Sequence, residues 1–332
     1  TETVYAGAET RLLFTLASVL CVFAGSIQML LVGRALQGIS AGAGMVVGRA
    51  VVRDLLDGAA AQRLMSHVSM AFALGPAIAP ILGGWIFSVF GWRAVFVFLA
   101  LLGLVLAALS ARYLPETHPP EARHPLHPGP LARRYKSVFT TPGFLLLTFT
   151  VSCNFNGFFL YVLSAPVFLM EHLGLPETGF GWFFIPTVGG MMLGSAASAR
   201  LAGRLSPPRT IALGCGLMLA AAAANLAVSV WLTPGLLQSV IPIMLYTFGM
   251  AIAMPSLTLL ALDHFPTHRG LASSCQSFLQ MLFSSLTAGL VAPALWSSVT
   301  GLAAGMVGNL LLGLASFGLW WALYHRTRTA VA

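Results

Sequence analysis

Ten apolar runs of about twenty residues or more follow one another along the chain, at 11–32, 34–54, 62–90, 93–114, 143–170, 178–204, 208–231, 236–262, 269–297 and 300–324. A helix rises about 1.5 Å per residue, so runs of this length cover the roughly 30 Å hydrocarbon core of a bilayer. Backbone groups inside lipid must be satisfied within the chain, and no run shows the two-residue alternation of a membrane barrel strand. The expected fold class is therefore an all-α polytopic membrane protein. Composition agrees: 58% of the residues are hydrophobic and only 8% are charged, against roughly 25% charged in a soluble domain.

The net charge of +8 is explained by where the cations lie. With the first run leading outward, fifteen of the 17 lysines and arginines fall on or near one side, and only Arg34 and Arg93 lie toward the other. The positive-inside rule makes the crowded side cytoplasmic and places the C-terminus there. No nucleic-acid partner is needed to account for the charge. The four cysteines, Cys21, Cys153, Cys215 and Cys275, lie inside runs without paired spacing, which argues against a disulfide framework or a zinc cluster.

One long connection, 115–142, is rich in proline and cations and separates four runs from six. Its histidines, His118, His124 and His127, could ligate a metal, but an extended proline-rich linker is the preferred reading. The domain expectation is a helical remainder at 1–114, a cytoplasmic linker at 115–142 and a six-helix bundle at 143–332. The two parts echo each other. "GRALQGISAGAG" leading to "VVRDLLDG", with Asp54 before Arg63, has a counterpart in "LYTFGMAIAMP" leading to "LDHFPTHRG", with Asp263 before Arg269. Such an echo implies a parallel repeat in a six-plus-six plan.

The segment "SMAFALGPAIAPILGGWIFSVFGW" aligns small residues on a helical face, with Ala71, Gly75, Ala79 and Gly83 in one row and Pro76, Pro80 and Gly84 beside it. Small residues at four-residue spacing permit close helix contact, and the prolines predict a bend. A matching row, Pro186, Gly190, Gly194, Ser198 and Ala202, predicts a seam between the two parts. For substrate contact, Asn154, Phe158 and Tyr161 share a face, with Asn156 nearby and Gln276 and Gln280 one turn apart on a later run. These residues can line a cavity or act as interhelical hydrogen-bond glue and packing. Arg34 opens a run, which allows snorkelling to the outer interface. All nine acids fall at run ends or in connections.

"GPAIAPILGGW" resembles the fifth-helix glycine-proline motif of major facilitator superfamily antiporters, and "GRALQGISAGAG" resembles the Arg-x-x-x-Gly motif of their fourth helix. "GRAVVRDLLDG", "APILGGWIFSVFGWRAVF" and "YLPET" are similar to the Bcr/CflA drug-resistance subfamily. "RLAGRLSPPRT" resembles a second copy of the family's cytoplasmic gating loop. The resemblance runs from the third helix of that fold to the twelfth. It implies an N-terminally truncated form with ten helices arranged four plus six, since "TETVYAGAET" matches neither the primary gating loop nor a signal peptide.

By the same resemblance Arg34, with Gln37 and Gly38 in its motif, is tied to proton coupling, and Gly75, Pro76, Gly83 and Gly84 form the hinge between halves. The implied function is proton-coupled efflux of lipophilic drugs or related small molecules by a monomer in the bacterial inner membrane. The proton gradient replaces any cofactor, no metal takes part, and the bilayer and a small-molecule substrate are the partners. The competing expectations are an inactive truncated transporter, a membrane-embedded enzyme and a channel. The enzyme reading lacks an acidic pair or a His-x-x-x-His set on one helical face; His264 and His268 are separated by Pro266.

Overall fold

A computed structural model describes residues 3–55, 75, 78–113, 128–266 and 268–329. The chain divides into two compact units, Thr1–Leu126 and His127–Ala332. Among the described residues seven helices are long and apolar enough to cross a membrane, and Thr10–Val22 and Ile78–Phe90 are shorter apolar helices.

The first unit contains α1 (Thr3–Val22), α2 (Ile27–Leu55), α3 (Ile78–Phe90) and α4 (Trp92–Tyr113). Its packing places small residues inside and large ones outside. The buried face of α4 is Ala100, Gly103, Ala107 and Ser110, while Leu101, Leu104, Val105 and Leu109 are exposed. Lipid is as apolar as leucine, so helix association depends on close backbone approach rather than on burying bulk. Gly103 meets α1 so tightly that a Cβ there would lie 2.6 Å from Thr15 Oγ1. Between α3 and α4 the chain turns at Gly91, whose φ of 80° is open to glycine at little cost. Arg93, just inside α4, donates to the Ala24 carbonyl beyond the end of α1 and stacks over Trp92.

The first break lies elsewhere than the hydropathy pattern predicts. Runs 11–32 and 34–54 place a boundary at residue 33, whereas α1 ends at Val22 and α2 begins at Ile27. The cause is local: Ser26 accepts the Met29 N–H through its hydroxyl at 3.2 Å, capping the new helix. Arg34 is therefore not at a helix start but about 10 Å along α2. Glu9 lies within α1 rather than in a connection.

The second unit contains α5 (Pro128–Phe139), α6 (Pro142–Leu163), α7 (Gly181–Leu201), α8 (Pro207–Trp231), α9 (Leu236–Leu262), α10 (Arg269–Leu286), the short α11 (Ala292–Leu295) and α12 (Val299–Thr329). A π-helical turn, Thr287–Val291, joins α10 to α11, so the span read at 269–297 is one rod with a wide turn in it. Within the linker expected at 115–142, residues 128–139 form α5 rather than an extended segment, with Val138 buried and Phe139 packed edge-on against Phe278 of α10. The apolar "SVF" end of "PGPLARRYKSVF" supplies that anchor, and Arg133, Arg134 and Lys136 remain exposed.

Helix α9 is the centre of the unit, with α6, α7 and α8 packed around it. A Cβ at Gly214 of α8 would lie 2.6 Å from the Gly249 carbonyl of α9, and one at Gly249 would lie 2.8 Å from the Gly214 carbonyl. The two backbones touch because neither carries a side chain. In the second copy of the repeated turn, Arg269 pairs with Asp263 at 2.7 Å, both well exposed; a pair so placed contributes at most about 1 kcal/mol. Arg63 of the first copy lies outside the described residues.

Candidate substrate cavity and polar relay

The second unit holds a cavity of about 630 Å³ lined by Phe155 of α6, Met191 and Ser195 of α7, Met250, Ala251, Met254, Pro255, Thr258 and Leu259 of α9, and Gln280 of α10. Three methionines and one phenylalanine make a wall that is polarisable and adaptable, because an unbranched thioether fits partners of different shape. Pro255 cannot donate to the carbonyl four residues back, so the Ala251 carbonyl at this wall lacks its usual helical donor. Phe155 stacks on Phe159 at 5.2 Å, extending the aromatic strip along α6. The described lining carries no charge, and its polar groups are Ser195, Thr258 and Gln280.

Of the six residues expected at a cavity wall, Gln280 is at this one. Asn154, Asn156, Phe158 and Tyr161 instead face the interior of the unit, all buried. Asn156 donates to the Ser152 carbonyl at 2.8 Å. Tyr161 accepts from Asn225 of α8 at 2.6 Å, and the same amide reaches Met306 Sδ of α12 at 3.8 Å. The Asn154 carbonyl accepts from the buried Tyr246 hydroxyl at 2.9 Å, and its side chain is turned toward Gly313. Gln276 is buried outside the cavity lining. Of the two readings open for this face of α6, packing and interhelical bonding describe these residues, and the cavity is met by Phe155, about 100° round the helix from Asn154. The missed methionines had a signal in "GMAIAMP", where Met250 and Met254 sit four apart before a proline.

The Tyr161–Asn225 contact ties α6 to α8 in a dry interior. Asn225→Leu leaves the tyrosine hydroxyl unpaired and is expected to destabilise the protein by about 1–2 kcal/mol. Adding Tyr161→Phe should recover most of that loss in detergent unfolding, since both polar partners are then gone. A double variant no more stable than Asn225→Leu would contradict the pairing.

The row Gly190, Gly194 and Ser198 packs on α9 of its own unit. A Cβ at Gly190 would lie 2.7 Å from Thr247 Oγ1, a Cβ at Gly194 would lie 2.9 Å from that of Ala251, and Ser198 donates to the Ile252 carbonyl at 3.3 Å. Within the first unit no described atom comes within 4 Å of a Cβ built at Gly75 or Gly83. Pro80 and Gly84 lie in α3, partly buried, and Pro76 lies outside the described residues.

In the first unit the Arg34 guanidinium donates to Gln37 Oε1 at 2.8 Å, the Gln37 amide donates to Ser18 Oγ at 2.7 Å, and Ser18 donates to the Phe14 carbonyl at 2.7 Å. Gln37 is only 3% exposed and Ser18 is fully buried. One helical turn places Arg34 and Gln37 side by side, and α1 closes the chain of bonds from across the interface. Ser18 was not singled out in the sequence; a serine in an apolar run carries no signal until its neighbour helix is known. The cluster of His264 and His268 is not a site: His264 packs against Trp320 and Tyr324, while His268 is the exposed residue preceding α10.

Comparison with known proteins agrees with this architecture. A bicyclomycin resistance protein homolog of Haemophilus influenzae is 34% identical over 167 residues, covering 50% of this chain and 42% of that protein. The multidrug resistance protein MdtL of Escherichia coli O139:H28 is 30% identical over 305 residues, covering 90% of this chain and 76% of the relative. In structure the chain resembles a bacterial homolog of the human lysosomal transporter Spinster in an inward-facing, unoccupied conformation, with a TM-score of 0.71, 19% identity, and coverage of 97% of this chain and 83% of the other. The family model described as Major Facilitator Superfamily matches residues 10–288. With that match, the bundle of apolar helices and the motif residues Arg34 and Gln37 in one bonded chain, the protein belongs to the major facilitator superfamily, whose members here are transporters and not enzymes.

Proposed function

We propose that the protein exports lipophilic small molecules from the bacterial cytoplasm by proton-coupled alternating access. It sits in the inner membrane as a monomer with its C-terminus in the cytoplasm, and the proton gradient takes the place of a cofactor. The observation that carries this reading is the uncharged, methionine-lined cavity of the second unit, which offers dispersion contacts to varied shapes and few fixed hydrogen bonds. The names of the relatives, bicyclomycin resistance and multidrug resistance, support the same direction. Arg34, held by Gln37 and Ser18, is in this scheme the fixed cation that tunes proton coupling without itself losing a proton, and the division of the chain into two compact units supports a rocking cycle.

Everted membrane vesicles test it. Building an inward-acid gradient should drive accumulation of ethidium, and a protonophore should release it; an uptake indifferent to the gradient would refute coupling. Gln280→Ala should weaken transport of substrates with a hydrogen-bonding group by roughly threefold to tenfold. Purely hydrocarbon-faced substrates should be little affected. A fluorescent C-terminal fusion that folds only in the cytoplasm checks the orientation.

A further inference from the structure

Resting on the efflux reading, we propose a second ligand subsite in the slot between α6 and α10, which accepts neutral aromatic molecules carrying one hydrogen-bond acceptor. The slot has a volume of about 360 Å³ and shares no lining residue with the methionine cavity. Its walls include Leu145, Leu146 and Phe149 from α6 and Leu279 and Phe283 from α10, with the hydroxyls of Thr148 and Ser152. Phe149 and Phe283 meet edge-to-face at 5.4 Å, so an aromatic guest finds both ring faces and ring edges there.

The hydroxyls decide the ligand chemistry. Thr150 donates to the Leu146 carbonyl at 2.9 Å and Ser152 to the Thr148 carbonyl at 2.9 Å, the usual back-bonding of hydroxyls in a membrane helix. Thr148, on the same helix, makes no such bond. Its side chain lines the slot, the residue is 1% exposed, and its Oγ1 has no hydrogen-bond partner. A buried hydroxyl left unpaired is unfavourable. A lipid acyl chain brings no acceptor to that depth and would leave it so. A single water occupies only about 30 Å³ and would leave most of the slot empty. A compact two-ring molecule with a carbonyl fills the apolar volume and takes the Thr148 proton donor.

Benzophenone is a probe of that chemistry and reports its own position. Under long-wave ultraviolet light its excited ketone oxygen abstracts hydrogen from a nearby C–H, and the two carbon radicals join. The product is a tertiary alcohol retaining every atom of probe and side chain. In proteoliposomes the adducts are expected on peptides spanning 145–152 and 279–286, alongside adducts at Met250 and Met254, which report a folded methionine cavity. Thr148→Val keeps the shape and removes the donor, and at sub-saturating probe should lower labelling of the slot by roughly threefold to tenfold while leaving the methionine peptides labelled. Leu279→Trp should fill the slot and remove the adducts there. Slot labelling unchanged by Thr148→Val would overturn the proposal and indicate an acyl-chain groove, as would adducts spread over exposed leucines such as Leu290 and Leu311. Labelling requires no gradient, so lost transport with intact slot adducts would count against efflux and not against the subsite.

Discussion

Arg34→Ala should reduce gradient-driven uptake in vesicles by roughly tenfold to a hundredfold, the range set by losing a hydrogen bond to a charged group, without lowering the amount of folded protein in the membrane. Arg34 donates to Gln37 at 2.8 Å, and its side chain is otherwise exposed within the unit, so its removal leaves little packing to repair. The functional loss should be larger than the structural one. Arg34→Lys keeps the charge but offers a compact ammonium in place of a fork of donors, so partial activity is expected. Gln37→Ala and Ser18→Ala test the positioning chain: each frees Arg34 from a fixed direction and should lower uptake less than Arg34→Ala does. The pH profile supplies a readout that mere misfolding does not move. A fixed cation favours the deprotonated form of a neighbouring proton-binding group, so without Arg34 the acid limb of the uptake profile should move to higher pH. An Arg34→Ala protein that transports at the parent rate, with an unmoved profile, would remove Arg34 from the coupling scheme.

The prominence of Arg34 depends on a boundary that hydropathy alone does not locate. Residues 23–32 are apolar apart from Ser26 and Gln28, and a sliding apolar run continues through them. What starts α2 anew at Ile27 is the Ser26 cap, an interaction between one hydroxyl and one backbone N–H. By contrast α9 begins and ends where its run predicts, at Leu236 and Leu262, because Gly235 and the Asp263 turn bound it with polar and flexible residues. The cavity wall was legible in kind and not in detail. Aromatic residues and a few amides on the later runs pointed to a lipophilic site, yet which face of α6 turns inward depends on α8 and α12. Those helices capture Asn154 and Tyr161 through Gly313, Asn225 and Met306. No periodicity within α6 itself encodes that choice, since both faces are apolar with scattered hydroxyls and amides. The glycine row of α7 was legible as a contact surface, and its partner was not. A small-residue face states that something comes close; the identity of the neighbour is a property of topology.

The same glycine row gives a test with a control on the same helix. Gly194→Leu should destabilise the protein by roughly 3 kcal/mol or more, since overpacking a tight core costs about 1–3 kcal/mol for smaller insertions. The obstruction is backbone: a Cβ at Gly194 meets the Phe248 carbonyl oxygen, with the Phe248 carbonyl carbon 3.0 Å away and the Ala251 Cβ 2.9 Å away. A flexible side chain could move aside, but the α9 backbone cannot do so without shifting the helix around which the unit is packed. Gly189→Leu, in the same helix, meets nothing within 4 Å. It makes the same change in composition and in helix propensity, which favours leucine over glycine by nearly 1 kcal/mol. The expected pattern is a stable Gly189→Leu protein and a Gly194→Leu protein that unfolds at lower denaturant or is lost from the membrane. Ala251→Gly should restore only part of the loss, because it clears the Cβ contact and leaves the carbonyl in place. If Gly189→Leu and Gly194→Leu proved equally stable, α7 would not be seated on α9 through this row. Substrate access along Met191 and Met250 would then need a different wall, because the cavity is built on the same pair of helices.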